Sequence, residues 1–317
     1  MKTNKVCILG GAGFVGSHLT WRLNNRGIHV RIPTRHPQRH RGIVAGGQVD
    51  LIKVDLFDRQ QLEATVAGCD AAVNLVGILN EIHVGRDFQR IHVELADRVA
   101  EACRASGVTR LLHMSALNAN ESNGPSVYLK TKGEAENRVH TLGKPHIKVT
   151  SFRPSVIFGP GDSFFNRFAD LLGSLPGPFP LACPAARFAP VYVGDVAEAF
   201  VRTLDDKTTW GKRYELCGPE SFTLQQLLEY TARQSGIKKR IIGLGATASR
   251  MQARILGRVP GKPFSYDNYL SLQVDSLCSK DGLQELGIAP TSIDSVVPYM
   301  LADNSVRRRY QQLRRQV

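Results

Sequence analysis

The sequence predicts an α/β protein, a doubly wound parallel sheet carrying a smaller C-terminal lobe, and two patterns along its 317 residues point there. Short β-rich runs alternate with stretches of helical periodicity through the N-terminal half, as a parallel sheet covered by helices on both faces requires. The first run, Val6-Cys7-Ile8-Leu9, passes directly into Gly10-Gly11-Ala12-Gly13-Phe14-Val15-Gly16. A strand that turns at once into a helix needs backbone conformations and close approaches that a Cβ would block.

Gly11-x-Gly13-x-x-Gly16 thus fits the fingerprint of a Rossmann-type dinucleotide site. Ser17 to Arg26 continues as a helix with Val15, Leu19 and Leu23 on one face and Gly27 as its stop. A pyrophosphate on that helix's N-terminus would meet unpaired N–H groups and the positive end of the dipole. Gly10, Gly13, Phe14, Val15 and Gly16 are therefore candidate cofactor contacts.

Further strands are expected at Val30–Thr34, Asp50–Val54, Ala71–Leu75, Leu111–Ser115 and Val149–Phe152. Between them, Arg59–Val66 and Glu94–Ser106 show apolar residues at helical spacing, each closed by a glycine, Gly68 or Gly107. After Arg153-Pro154-Ser-Val-Ile-Phe-Gly159 the texture becomes rich in proline and glycine around Leu175–Pro184, suggesting loops over a ligand cleft. Phe188–Val193 reads as a return strand, with Asp195 capping a helix to Leu204. Residues 162–186 and those beyond Phe222 read as irregular. The expected division is 1–155, its sheet completed by 187–217, and 156–317.

An acid about 20 residues beyond the glycines would bind the adenosine ribose of NAD, whereas an arginine can hold the 2′-phosphate of NADP. Here the second strand ends in Thr34-Arg35-His36, with no acid. NADP(H) is accordingly the expected cofactor, with NAD(H) as the other option, Arg35 as phosphate partner and Arg39 or Arg41 in support. The competing reading of Arg35 is a plain surface residue. Asp55-Leu56 would meet the adenine, although Asp55 also suits a turn cap. Leu75-Val76-Gly77 closes the fourth strand, where a small residue lets ribose and nicotinamide approach the backbone.

Tyr128 and Lys132 are four apart and share a helix face. A free phenol titrates near ~10, and a neighbouring ammonium favours the phenolate. Tyr128 would then exchange a proton with a carbonyl or alcohol while hydride moves to or from the cofactor, and Lys132 would also hold the nicotinamide ribose. Ser115 is the candidate to polarise the carbonyl; its other reading is a strand-end serine bonded to its own backbone. Aromatic residues at Phe164, Phe165 and Phe168, with Leu181, lean toward an apolar substrate.

The net charge of +13 calls for an anionic partner or marks a solvated basic exterior. The basic clusters, at His36–Arg41, Lys238–Arg258 and Arg307–Arg315, lack the interleaved aromatics of a nucleic-acid platform, so no nucleic-acid partner is expected. Leu244–Val259 suits a helix with Arg250, Arg254 and Arg258 on one face and Ala248, Met251 and Ile255 on another. Such a helix either lies on anionic lipid or packs its apolar stripe inward. Six scattered cysteines, 7, 69, 103, 183, 217 and 278, without metal-ligand spacing, read as reduced thiols of a cytoplasmic protein with no metal site. No apolar run approaches the ~20 residues of a spanning helix. A monomer or loose dimer is expected.

Gly10-x-x-Gly13-x-x-Gly16, Asp55-Leu56, Tyr128-x-x-x-Lys132 and Arg153-Pro-x-x-x-Phe-Gly159 resemble the short-chain dehydrogenase/reductase superfamily, in its extended or atypical, epimerase/dehydratase-like branch. Tyr128–Glu136, Arg187–Glu198 and Tyr214–Glu220 look like the nucleotide-binding accessory subunit of respiratory complex I and its free-standing bacterial relatives. The resemblance covers nearly the whole chain. It implies an NAD(P)-dependent oxidoreductase or epimerase acting on a small, apolar or quinone-like carbonyl or alcohol, peripheral to the inner membrane. The alternative it implies is a catalytically weak protein that holds NADPH structurally within, or during assembly of, a membrane respiratory complex. One departure is visible. Many extended members carry consecutive serines at the end of the fifth strand, where this chain has Ser115-Ala116-Leu117, with Ser122 and Ser126 as the nearest substitutes.

Overall fold

The computed structural model describes residues 2–81, 87–260 and 262–302, except for the side chains of 45 and 46. The chain forms two compact units: residues 1–154 with 194–216 and 278–289, and residues 155–193 with 217–277 and 290–317.

The first unit begins β1 (Lys5–Leu9), α1 (Phe14–Asn24), β2 (His29–Thr34), β3 (Val49–Lys53), α2 (Arg59–Val66), β4 (Ala71–Asn74), α3 (Leu95–Ala105), β5 (Arg110–Met114), α4 (Val127–Gly143) and β6 (Lys148–Pro154). The chain continues into the second unit with β7 (Ile157–Phe158), α5 (Phe165–Ser174), β8 (Phe179–Leu181), β9 (Arg187–Phe188) and β10 (Val191–Tyr192). It returns to the first with α6 (Val193–Thr203) and β11 (Arg213–Leu216), then builds β12 (Phe222–Thr223), α7 (Leu224–Gln234), β13 (Ile241–Gly243), α8 (Ala246–Leu256) and α9 (Tyr266–Ser271) in the second. The short α10 (Gly282–Glu285) belongs to the first.

Seven strands in the order β11-β6-β5-β4-β1-β2-β3 form one sheet, every pair parallel. The order reverses between β1 and β4, the switch point outside whose carboxyl ends such sheets bind ligands. Val6, Cys7, Ile8 and Leu9 are wholly buried, as a central strand covered on both faces demands. One core layer joins Cys7, Leu9, Ala72, Leu111 and Val149 of the sheet to Leu62, Val99, Ala135 and Val139 of α2, α3 and α4.

Several expectations need correction. The single strand expected over Phe188–Val193 is two short strands in separate two-stranded sheets, β9 with β12 and β10 with β7. Pro190, which has no N–H to continue a ladder, lies at the break. Asp195 is not a cap but the third residue of α6. The stretches read as irregular hold α5, whose Phe165, Ala169 and Leu172 are buried, and α7, which opens on a reciprocal Thr223–Gln226 capping box. Cys217 and Cys278 are disulfide-bonded, while Cys7, Cys69, Cys103 and Cys183 are free. Spacing in sequence concealed that bond, and it removes the support that six thiols lent to a reducing compartment. The basic segment Arg307–Arg315 lies outside the described residues.

Candidate active site

The glycine loop has the geometry of a phosphate cradle. Gly10 adopts φ +81°, and the chain turns tightly on both sides of it through Gly11 N–H to Ile8 O (3.1 Å) and Gly13 N–H to Gly10 O (3.0 Å). A Cβ on Gly16 would stand 2.4 Å from Gly10 O, so the first turn of α1 lies directly on the loop. Gly13 is the N-cap of α1 with no side-chain cap bond, and the first turn, which holds Phe14 and Val15, carries no acidic residue. Those N–H groups are left for an external anion.

Across the switch point, a Cβ on Gly10 would meet Leu75 C at 3.2 Å and Val76 N at 3.3 Å, which brings Leu75-Val76-Gly77 against the loop. Arg35, just past β2, is exposed and makes no hydrogen bond or ion pair among the described residues, whereas Thr34 Oγ1 accepts from His36 N–H. Asp55 is exposed, and its Oδ1 accepts from Phe57 N–H at 3.0 Å, so the turn-capping role is present. Leu56 packs on the core beneath α2 and α3. Pro154, at the end of β6, accepts from Leu117 N–H through its carbonyl.

Ser126 caps α4 by accepting from Leu129 N–H. From there Tyr128, Lys132, Glu136 and His140 recur every fourth residue, a single stripe down the helix. The opposing strands supply a matching polar row. Asn74, His113 and Ser151 are side by side in register, and alternation puts Ser115 and Arg153 next on that face. Lys132 Nζ donates to Met114 O at 3.0 Å and lies 3.1 Å from where a Gly77 Cβ would be, so the bare glycine lets the ammonium reach the switch-point loop. The Tyr128 ring stands edge-on to Phe88 and His92, with centroids 5.9 and 5.5 Å away.

His92 holds this corner together. Its Nε2 accepts from Ile78 N–H (3.2 Å), which leaves Nδ1–H to donate to Thr131 Oγ1 (3.0 Å). Burial, then the Lys132 charge, drive its pKa down to about 2, so it is a neutral strut. His113 is likewise kept neutral, chiefly by burial. Asn74 Oδ1 accepts from Val76 N–H, so the Asn74 amide donates to His113 Nδ1 at 3.4 Å. His140, bonded through Nε2 to Ser151 Oγ at 2.9 Å, is lowered to about 4 by burial and the nearby Arg213 and Arg153.

Glu136, wholly buried, gathers the rest. Its carboxylate accepts from Arg153 Nη2 (2.8 Å), Arg213 Nε (3.2 Å) and Ser115 Oγ (3.1 Å). The Ser115 hydroxyl has one proton, and it is directed at Glu136. The sequence reading had stopped at Lys132 and missed Glu136 and His140, although the four-residue recurrence was there to follow. Phe88, His92 and Arg213 carried no local signal.

Burial lowers Lys132 from its ordinary 10.5 to about 8, with Glu136 partly offsetting the shift. Between those two values the unfolded chain holds the proton and the folded one has lost it, so folding stability rises with pH through that window. The gain from this one group is about 3 kcal/mol at the alkaline end. Lys132→Met is expected to flatten that rise. Denaturant midpoints of both proteins across the window check it, and equal slopes would assign the rise elsewhere.

The model of the NAD dependent epimerase/dehydratase family matches residues 6–217. The chain is 27% identical over 294 residues to subunit 9 of the mitochondrial NADH dehydrogenase (ubiquinone) 1 alpha subcomplex of Mus musculus, covering 90% of this chain and 77% of that protein. It is also 27% identical over 248 residues to a (4-alkanoyl-5-oxo-2,5-dihydrofuran-3-yl)methyl phosphate reductase of Streptomyces griseus, covering 77% and 79%. Among solved structures, MoeE5 in complex with UDP-glucose and NAD has a TM-score of 0.72 at 19% identity over 96% of this chain and 99% of that one, a likeness of fold. With a seven-stranded parallel sheet whose switch point carries the glycine cradle, this chain belongs to the NAD dependent epimerase/dehydratase family.

Proposed function

We propose that the protein is an NAD(P)-dependent oxidoreductase or epimerase that acts on the carbonyl or alcohol of a small substrate, with NADP(H) preferred. The observation that carries this reading is the Lys132 ammonium, held against Gly77 at the end of β4, one helical turn from Tyr128. The residues fit a dinucleotide: bare N–H groups at α1, Gly16 with no room for a Cβ, Gly10 at a positive φ close to Leu75 and Val76, and Arg35 with no partner among the described residues. Gly13, Phe14 and Val15 would hold the pyrophosphate, Thr34 and Arg35 the 2′-phosphate, Asp55 and Leu56 the adenine, and Leu75, Val76, Gly77 and Pro154 the nicotinamide end.

When bound, the nicotinamide supplies or accepts hydride. Tyr128 moves the proton at the substrate oxygen, and the Lys132 charge lowers the cost of the phenolate and positions the ribose. Ser115 would have to turn from Glu136 to donate to a carbonyl.

That commitment of Ser115, with Ala116 and Leu117 beside it, favours a second reading. Here the chain holds NADPH as a structural element of a respiratory complex or its assembly, at the cytoplasmic side of the inner membrane, as a monomer or dimer. The name of the mouse relative supports it.

Calorimetric titration with NADPH and NADH, in wild type and Arg35→Ala, tests the shared cofactor site. NADPH is expected to bind at least tenfold more tightly than NADH, with Arg35→Ala erasing the difference. Hydride exchange then divides the readings. An enzyme turns over and Tyr128→Phe loses at least a hundredfold; a structural holder retains NADPH with no turnover for Tyr128→Phe to remove.

A further inference from the structure

Helix α8 faces outward in a way its sequence left open. Its inward side is Ser249 and Ala253, both buried, with Gln252 Nε2 donating to Pro180 O and Ser249 Oγ accepting from Cys183 N–H. Met251, Ile255 and Val259, the residues that an ordinary amphipathic helix would bury, are 60%, 56% and 42% exposed. Immediately before each stands an exposed arginine: Arg250, Arg254 and Arg258. The helical turn continues past α8, with Arg258 N–H bonded to Ile255 O and Val259 N–H to Leu256 O, so all three pairs share one side.

The charge there is uncompensated. From Glu229 to Asp267 the sequence holds eight basic residues and no acidic one between. Among the described residues no carboxylate pairs with Arg250, Arg254 or Arg258; Arg254 lies 5.6 Å from the Tyr266 ring centroid, and Arg258 Nη1 donates to Arg254 O. Ile242, on β13 just before the helix, is a further exposed apolar side chain, at 42%.

We propose that α8 docks flat on an anionic bilayer surface. Met251, Ile255 and Val259 enter the boundary between headgroups and acyl chains, and Arg250, Arg254 and Arg258 pair with lipid phosphates. Paired arginine and apolar residues at every turn suit this interface, because a long cationic side chain reaches a phosphate while its neighbour is immersed. A convex helix with isolated apolar side chains fits a fluid surface that closes around each one; a folded acidic partner would need a groove shaped to all three. The argument is independent of either reading of the nucleotide site.

The test is flotation of the full chain with vesicles of phosphatidylcholine and phosphatidylglycerol, against phosphatidylcholine alone. Binding is expected only with the anionic vesicles. Changing Arg250, Arg254 and Arg258 together to Gln should weaken it on the order of a hundredfold. Met251→Ser with Ile255→Ser should weaken it about tenfold with the arginines intact. Ile255→Trp should become quenchable by brominated lipid. No binding to any vesicle would overturn the proposal and favour an acidic protein partner. Binding that both sets of substitutions leave unchanged would overturn it too, and assign attachment to another basic segment of the sequence such as Arg307–Arg315.

Discussion

Gly16→Ala is expected to abolish dinucleotide binding and destabilise the first unit. The new methyl would stand 2.4 Å from Gly10 O, 2.5 Å from Gly11 Cα and 2.6 Å from Gly11 C. All three are backbone atoms, so no rotamer change relieves the contact. Either α1 lifts from the loop or the loop opens, and both moves misalign the N–H groups that would face the pyrophosphate. Overpacking of this kind costs about 1–3 kcal/mol, and NADPH affinity should fall at least a hundredfold with loss of that aligned donor set. Gly27→Ala is the control. Its Cβ would meet nothing within 4 Å, but φ is +75°, so it should cost about 1 kcal/mol and leave affinity alone. Titration calorimetry and denaturant midpoints on both variants decide. Wild-type affinity in Gly16→Ala would remove the loop from the binding site.

The second large effect should come from Glu136→Ala. The carboxylate is wholly buried and is the shared acceptor of Arg153, Arg213 and Ser115, so its removal leaves two half-buried guanidiniums facing each other without their common counter-charge. Breaking a fully buried ion pair from one side costs about 3–5 kcal/mol; here water reaches both arginines, so the loss should be smaller, about 1–3 kcal/mol. Glu136→Gln keeps an acceptor for Ser115 and should cost less. The same carboxylate raises the Lys132 pKa, so both variants should move that lysine further down from about 8. Urea midpoints measure the first effect. NMR titration of the lysine side chain measures the second. A loss below about 1 kcal/mol in Glu136→Ala would mean that water replaces the carboxylate, as at a surface pair.

Much of this architecture was readable along the chain. Glycine sterics at residues 10–16, strand-length apolar runs and the closing glycines after helical stretches are local properties, and the parallel sheet follows from their order. Tyr128 and Lys132 were readable for the same reason, since four residues along a helix is a local distance. Phe188–Val193 was misread because an apolar run does not reveal which strand, if any, will accept its N–H groups. Asp195 was misread because helix starts are set by what precedes them in space as well as in sequence.

The glycine loop, the alternation that builds the sheet and the shared face of Tyr128 and Lys132 were all legible in the chain, because each depends on backbone sterics or helical period over a few residues. Folding was needed to show that His92 braces Tyr128, that Glu136 holds Ser115 with Arg153 and Arg213, and that Met251 and Ile255 face outward. These depend on burial and on the pairing of charges brought together by the sheet. Burial is a property of the packed neighbourhood, and the partners that lower or satisfy a charge there come from strands and helices far apart in the chain.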